Sequence, residues 1–516
     1  MHYLEFTVRP APEITIKARG TRNRFLRQLR TNMRDALQRA GFTPRIRLLR
    51  SRYQLILEQP EPFTDADVAR AQTTLGRVFG VISFSHVMAE SGADFTEIVE
   101  TGRQLYFESV ANTSYAVRCR RSGQHPYTSV EVECALGAAL KTTTNSVNLT
   151  NPNVLVAIEV EDKRVRYLSD NTPGPGGLPL GTAGRAVVLL SGGYDSIVAA
   201  WYLMKRGVEV DFVHLKLAGA ASERLAIRIA KQVSDDWAAG TRPDLYSIDF
   251  LPVVADIQRH TNGALWQVLL KRAFLQAADL VANGIEARPA PGMREGQRVH
   301  VDAIITGEAV GQVSSQTLSN LRTIDAASER PIFRPLIGFD KLEIIRQAEH
   351  IGTAELSAKS REDCNISAGR PATVSSVTEI EAEEALLTSG LLEQLCAAAV
   401  AGTEVVALRT LTEADLAEPF LTIGNVPEGA TLVDCRPHAS AQRWQPPVPT
   451  IAHAIPDILL GKHDNAFAKD NTYVLFCPIG TQSIAVAEYL QEKGVEAYSF
   501  TGGVAALKQW YETGSE

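Results

Sequence analysis

Residues Ala186–Gly207, AVVLLSGGYDSIVAAWYLMKRG, decide how the rest of this chain is read. The run Ala186–Leu190 is continuous and apolar, the pattern of a strand buried on both faces. A glycine-rich turn, Ser191-Gly-Gly-Tyr-Asp-Ser196, follows at once. Ile197, Ala200, Trp201 and Met204 then recur at helical spacing, and Gly207 supplies a stop. Strand, tight turn and helix aim backbone N–H groups and the positive end of a helix at one point, which suits an anion. A Walker-type loop would close on Gly-Lys-Ser/Thr, whereas this turn ends in Asp195-Ser196 and carries no lysine.

The turn resembles the S-G-G-x-D-S loop of the PP-loop ATP pyrophosphatases. That resemblance implies an enzyme that splits ATP between the α- and β-phosphates, passes AMP to a substrate oxygen and holds the departing pyrophosphate. Downstream, Val208–Leu215 and Leu245–Phe250 read as further strands, with helices over Glu223–Val233 and about 266–282. The buried run Ala303–Thr306 leads into a second loop, Gly307–Asn320, so a doubly wound parallel sheet is expected. Ligands gather beyond the carboxyl ends of such strands, which puts both loops on one crevice. Lys271, on the helix between them, is placed to supply the cation that a Walker lysine would bring.

With 516 residues the chain is too long for one core. Its six cysteines (119, 134, 364, 396, 435 and 477) lack C-x-x-C spacing, against a zinc site or a secreted disulfide scaffold. No run is long and apolar enough to span a bilayer, and the start lacks an apolar signal core, so a cytoplasmic protein is expected. The net charge of −7 argues against nucleic acid until its distribution is followed. Lys17, Arg19, Arg22, Arg24, Arg27, Arg30, Arg34, Arg39, Arg45, Arg47, Arg50 and Arg52 share their segment with one acid, Asp35. Such a local excess is an electrostatic footprint for phosphates. A solvated helix face is the alternative.

Residues 1–62 read as strand, basic helix and strand, and 63–172 as a small α/β unit closed by a hairpin around Asp162-Lys163. Within the latter, Arg118-Cys-Arg120-Arg121-Ser-Gly-Gln-His125 is a second basic loop. The stretches VRCRRSGQHPYTSVEVE and NLTNPNVLVAIEVED resemble a THUMP domain, a module of tRNA-modifying enzymes. Pro173–Pro179 reads as a hinge by composition. The PP-loop unit follows over 173–400, interrupted by a polar stretch at 286–300, and 401–423 reads as an acidic linker. In the last unit, 424–516, the buried strand Tyr473–Phe476 runs straight into Cys477 and a glycine-containing loop before a helix. That arrangement sets a sulfur among N–H donors and a helix dipole, which lowers a thiol's pKa and steadies an anionic persulfide. With Asp434-x-Arg436 upstream, this unit resembles a single rhodanese domain; a buried structural cysteine is the alternative.

A basic RNA-binding region, an adenylating site and a persulfide carrier together describe RNA thiolation. Attaching AMP to a pyrimidine oxygen turns a poor leaving group into a good one, and sulfur can then displace it. The segments Pro12–Lys17, 118–125, Leu149–Asn153, Ser191–Ser196, Thr306–Arg322 and Arg334-Pro-Leu336, with Cys364 and Cys477, resemble the tRNA 4-thiouridine synthetase (tRNA uracil 4-sulfurtransferase) family in its long form. The resemblance implies an α/β multidomain protein: a ferredoxin-like N-terminal region, THUMP module, PP-loop domain and C-terminal rhodanese domain. It implies sulfur insertion at uridine 8 of tRNA using ATP and Mg²⁺, with no dedicated metal site on the protein. A cysteine desulfurase would donate the persulfide, and a thiamine sulfur-carrier protein is a further partner if sulfur also goes to the thiazole of thiamine. Carried over by position, Asp195 is essential for adenylation, and Leu189, Leu190, Ser191, Gly192, Gly193, Ser196, Lys271, Gly307 and Gln316 surround the nucleotide. Lys17, Arg19, Arg22, Arg24, Arg118, Arg120 and Arg121 would contact RNA. Cys477 would carry the persulfide and Cys364 resolve it, leaving a Cys364–Cys477 disulfide for a reductant. From its neighbours alone, Cys364 reads as structural rather than reactive, because Glu362 and Asp363 would raise a thiol's pKa. Pro478 has no N–H, and 478–483 hold no arginine or lysine, so a protein persulfide suits this loop better than free thiosulfate. The competing readings are a thiamine sulfur carrier, which needs Cys477 but not Asp195, and a PP-loop ligase or amidotransferase acting on a small molecule.

Overall fold

The computed structural model describes residues 1–49, 52–217, 220–288, 299–360, 366, 370–412, 415–416, 421–436, 441–442, 444–459, 461–478, 480 and 482–513. Cys364, and with it the Cys364–Cys477 pairing, lies outside the described residues, as does most of the 286–300 stretch. No helix among the described residues is long and apolar enough to cross a membrane.

The N-terminal part is one nine-stranded mixed sheet. Its first half pairs Thr43–Leu48, Tyr53–Gln59, His2–Pro10 and Val81–Gly92 in that order, all antiparallel. Alternation along the first strand buries Leu4, Phe6 and Val8 against Phe25, Leu29, Met33 and Leu37 of helix Arg19–Arg39. Ala71, Leu75, Val78, Val81 and Phe84 belong to the same core. The boundary read at 62/63 therefore moves into the strand Val81–Gly92, because helix Asp65–Leu75 completes the first core instead of starting a second. The near half of Val81–Gly92 pairs with His2–Pro10, and its far half pairs with Arg164–Leu168 of the next unit. Buried charges cross the same junction. Arg166 reaches Glu5 at 3.0 Å, Glu161 at 2.8 Å and Glu90 at 3.2 Å, while Glu159 takes Arg52 at 3.0 Å and Arg9 at 3.4 Å. The expected Asp162-Lys163 hairpin is present, with Glu161 opposite Arg164.

The middle unit is the expected doubly wound sheet. Its order is Ile332–Phe333, Ala303–Ile305, Arg185–Leu189, Glu209–Lys216, Asp244–Asp249 and Val405–Ala407, parallel except for the last. The chain leaves Arg185–Leu189 toward Glu209–Lys216 and later returns on its other side as Ala303–Ile305. The carboxyl ends of those two strands are thus the switch point at which α/β sheets bind ligands. Val405–Ala407 lies within the stretch read as a linker; it completes the sheet edge beside Asp244–Asp249, so the first part of 401–423 is structural.

Pro173–Pro179 is not a hinge. Gly80 N–H donates to the Gly176 carbonyl at 2.7 Å, Gly174 N–H to Ile82 at 2.9 Å, and Leu178 N–H to Lys205 at 2.9 Å. These bonds tie the segment to the first sheet at one end and to the helix after the glycine turn at the other. Contacts distant from it reinforce the junction. Asn32 Nδ2 donates to the Leu180 carbonyl at 3.0 Å, Asp35 pairs with Arg409 at 2.8 Å, and Glu13 pairs with Arg206 at 2.9 Å. Phe79 also packs its ring 5.5 Å from both Trp201 and Trp237. The N-terminal sheet and the PP-loop unit are therefore held as one block.

The C-terminal unit is a five-stranded parallel sheet ordered Thr422–Ile423, Glu496–Phe500, Thr472–Phe476, Thr431–Asp434 and Thr450–Ala452. Its two faces carry separate cores, one around Val433, Leu475 and Ala487, the other around Leu432, Phe476 and Leu507.

Candidate active site

The loops that follow Arg185–Leu189 and Ala303–Ile305 meet over a cavity of about 650 Å³. In the first loop, Ser191 N–H donates to Ser196 Oγ at 3.2 Å, and the two hydroxyls lie 3.3 Å apart, which folds the turn back on itself. Gly192 sits at φ +78°, a left-handed conformation that glycine adopts without strain. Gly193 then opens helix Tyr194–Lys205, whose first end no side chain caps. That end presents the positive pole of a helix to the cavity.

Two groups of charges flank this turn. Asp195, in the first helical turn, accepts from Lys341 Nζ at 2.8 and 3.1 Å and from Gln312 Nε2 at 3.3 Å. Opposite, Glu308 is buried and accepts from Arg334 Nε at 2.8 Å and from the Thr306 hydroxyl at 3.0 Å, with Lys271 Nζ 3.8 Å away. Burial pushes the Glu308 carboxyl up, but Lys271, Arg334 and Thr306 together outweigh burial and hold it below the ordinary glutamate range. Arg334 is fixed in turn by Asp325 at 2.6 Å. Glu308 is thus an anionic anchor for Lys271, whose ammonium keeps donors available for a ligand. The cavity has two lysines facing a helix N-terminus across an apolar wall that includes Phe274, Val213 and Leu275. A nucleotide's base and phosphates would each find matching surface there.

Of the predicted nucleotide residues, Leu189, Leu190, Ser191, Gly193, Ser196, Lys271, Gly307 and Gln316 line the cavity with Asp195. Gly192 shapes the turn without lining it. Gln316 also accepts the Val313 N–H through Oε1 at 3.2 Å, which pins the second loop. The sequence reading gives no role to Lys341, Gln312, Glu308 or Arg334. Lys341 is the first residue of helix Lys341–Ile351, which Asp340 caps in a reciprocal arrangement with Glu343. The D-K-x-E pattern predicts that helix start, but nothing local predicts its partner Asp195.

The N-terminal basic run divides in two. Arg39 pairs with Asp35 at 3.5 Å, Arg52 pairs with Glu159, and Arg45 pairs with Glu58, so each of these charges is matched by an acid. Arg19, Arg24, Arg27, Arg30 and Arg34 are exposed on helix Arg19–Arg39, and none forms an ion pair among the described residues. Lys17 and Arg24 lie 5.1 and 5.3 Å from the Phe25 ring, and Arg22 reaches the Thr15 carbonyl at 3.5 Å. In the second unit Arg118 and Arg120 are exposed, Arg118 donating to the Leu149 carbonyl at 2.6 Å. Arg121 lies 3.2 Å from His125 Nδ1, whose other ring nitrogen is 2.6 Å from the Asp162 carbonyl.

Cys477 directly follows strand Thr472–Phe476 and is fully buried. Part of the donor loop expected around it lies outside the described residues; helix Gln482–Glu492 follows. Asp434 and Arg436, both buried, pair at 2.6 Å, and the guanidinium lies 5.2 Å from the Phe476 ring. This pair braces the strand ends beside Cys477. Burial pushes the Cys119 thiol up to about 11 and the Cys396 thiol up to about 12, as packing residues would show. The Cys435 thiol is also raised by burial, with Cys477 and Asp434 adding to the effect.

Three family models match the chain: a ThiI ferredoxin-like domain over residues 5–85, a THUMP domain over 92–168, and a thiamine biosynthesis protein (ThiI) over 181–388. A tRNA sulfurtransferase of Desulfurococcus amylolyticus is 33% identical over 98% of this chain and 99% of its own length. The protein of that name from Pyrobaculum aerophilum is 34% identical over 96% of each. Among solved structures, a 4-thiouridine synthetase in complex with RNA and bound ATP is similar at a TM-score of 0.63 and 27% identity, covering 78% of this chain and 100% of that one. With relatives matching at this identity from end to end, the chain belongs to the tRNA sulfurtransferase family of sulfur-transferring enzymes.

Proposed function

We propose that this enzyme makes 4-thiouridine in tRNA, at position 8, by adenylating uracil O4 with ATP and replacing that oxygen with persulfide sulfur carried on Cys477. The observation that carries the reading is the cavity at the switch point, where Asp195, Lys341 and Lys271 meet an uncapped helix N-terminus. The solved 4-thiouridine synthetase, which holds both RNA and ATP, supports it. Uracil O4 attacks the α-phosphorus, the α–β bond breaks, and pyrophosphate leaves against the helix pole and the two lysines. The terminal sulfur of the Cys477 persulfide then attacks C4, and AMP departs with the original oxygen. Cys364 attacks Cys477 Sγ, which breaks the S–S bond, releases the thiocarbonyl and leaves a Cys364–Cys477 disulfide. Two electrons from an external dithiol reset the pair. Mg²⁺ belongs with the triphosphate; the oxygen donors at the turn, the Asp195 carboxylate and the Ser191 and Ser196 hydroxyls, suit a hard cation. A cysteine desulfurase is the proposed persulfide donor to a rhodanese-type C-terminal unit.

Asp195→Ala is expected to abolish 4-thiouridine in cellular tRNA, read by mass spectrometry of the nucleosides, while leaving persulfide loading of Cys477 intact. An unchanged 4-thiouridine level would remove the adenylation reading. The ThiI family description supports a second role, sulfur supply to a thiamine carrier protein, and that role should survive the same substitution.

The exposed arginines of helix Arg19–Arg39 are proposed to hold tRNA phosphates. Combining Arg19→Ala, Arg22→Ala and Arg24→Ala should make the dependence of log K on log salt shallower by about 2–3. A slope equal to that of the parent chain, measured by filter binding across a salt series, would move the RNA contact to another surface.

A further inference from the structure

Helix Ala220–Trp237 begins at the cavity, where Ser222 lines the wall. Its basic residues Arg224, Arg228 and Lys231 stand at i, i+4 and i+7, one face of a helix. Each holds a different part of the chain beyond the PP-loop sheet. Lys231 Nζ lies 3.4 Å from the Leu408 carbonyl, just after strand Val405–Ala407. One turn nearer the cavity, Arg228 donates to the Leu416 carbonyl. One further turn on, Arg224 forms an ion pair with Glu488 of helix Gln482–Glu492, in the C-terminal unit. The connecting chain and the unit it carries are thus received in order along one helix, running toward the mouth of the cavity.

Glu488 is the unusual member of this set. It is only 3% exposed, although it sits on a helix of a small unit whose own cores are apolar. A carboxylate is costly to bury without a cation, and Arg224, the cation beside it, comes from the neighbouring unit. Its helix is the one that follows Cys477, so the pair joins the helix after the sulfur to the helix at whose start the cavity opens. We propose that Arg224 and Glu488 form the docking contact that seats the Cys477 unit at the cavity mouth for sulfur delivery, with Arg228 and Lys231 guiding the connector. Both are positioning residues, and the assignment of a delivery role rests on the sulfurtransferase reading above. Undocking would leave Arg224 and Glu488 solvated and free the unit to meet a donor protein.

The test uses full-length Arg224→Glu, Glu488→Arg and the double reversal. Small-angle X-ray scattering should show a larger radius of gyration in each single variant and return to the parent value in the double. Transfer of labelled sulfur from preloaded Cys477 to tRNA, in a single turnover, should slow by about tenfold or more in each single variant and recover to within about threefold in the double. Pyrophosphate release from ATP and tRNA in a single turnover, and persulfide loading of Cys477, should stay at parent rates throughout. Unchanged scattering in both single variants would overturn the contact itself. Unchanged sulfur transfer, or a double variant no better than the worse single, would overturn its role in delivery. A parent chain that releases no pyrophosphate with tRNA would strike at the adenylation reading instead, and the scattering result would still decide the contact.

Discussion

Gly307→Ala is expected to cost the chain its nucleotide cavity. A Cβ at residue 307 would stand 2.5 Å from the carbonyl carbon of Asp195 and from the amide nitrogen of Ser196, and 2.8 Å from the Asp195 oxygen. All three are backbone atoms in the first turn of helix Tyr194–Lys205, so no side-chain rotation relieves the overlap. Either the turn or the loop after Ala303–Ile305 must retreat by roughly 1 Å, and displacements of that size cost about a hundredfold in rate where groups are held for reaction. Overpacking of this kind also costs about 1–3 kcal/mol of stability. The measurements are calorimetric titration of ATP into the full-length variant, alongside its thermal unfolding. Gly424→Ala is the control, because a Cβ there meets nothing within 4 Å. If Gly307→Ala bound ATP with parental affinity, the cavity would not be the nucleotide site.

Cys477→Ser should separate the two half-reactions. The oxygen for sulfur exchange keeps the shape of a fully buried side chain, so the C-terminal cores should stand. A serine cannot carry a persulfide, and loss of the group that forms the covalent intermediate is expected to lower thiolation by about a thousandfold or more. Pyrophosphate release from ATP and tRNA should continue, since every group lining the cavity belongs to the PP-loop unit. The paired readout is thiolated nucleoside by mass spectrometry and pyrophosphate by coupled assay on one reaction mixture. Persistent 4-thiouridine would mean that sulfur takes a route avoiding Cys477. Full burial adds a kinetic expectation: exposed Cys134 should react with a thiol reagent well before Cys477 does.

The strand, turn and helix around Ser191–Ser196 were legible because each is a local pattern: an apolar run, glycines at a tight bend, a 3.6-residue repeat. The switch point followed from the order of strands, and the loop that begins at Gly307 could be assigned to it. Lys341 was not legible in the same way. It meets Asp195 across 146 positions of sequence, and the capping pattern around Asp340 reports only that a helix begins there. Charge was misread for the same reason. Arg45 and Arg52 belong to a basic run in sequence, yet each is matched by an acid that the fold brings to it, while Arg39 is matched by Asp35 one turn back on its own helix. Proline and glycine marked 173–179 as a hinge, but those residues also let two backbones approach closely enough to hydrogen-bond, and here that use prevails. Val405–Ala407 is too short a run to declare itself, and it becomes a strand only against the waiting edge of Asp244–Asp249.

The strand Val81–Gly92 belongs to two modules at once. At about 3.4 Å per residue it is a bar of roughly 40 Å, continuous in chain although its pairing shifts register between Val87 and Ala89. The charged contacts at its middle and the block formed with the PP-loop unit extend that stiffness toward the cavity. Were RNA held on the basic faces, as proposed above, this stiffness would gauge it as a caliper with locked jaws does. The base offered to the cavity would then be set by its span from the grip, and a tRNA with a longer or shorter arm would present the wrong one however tightly it is held.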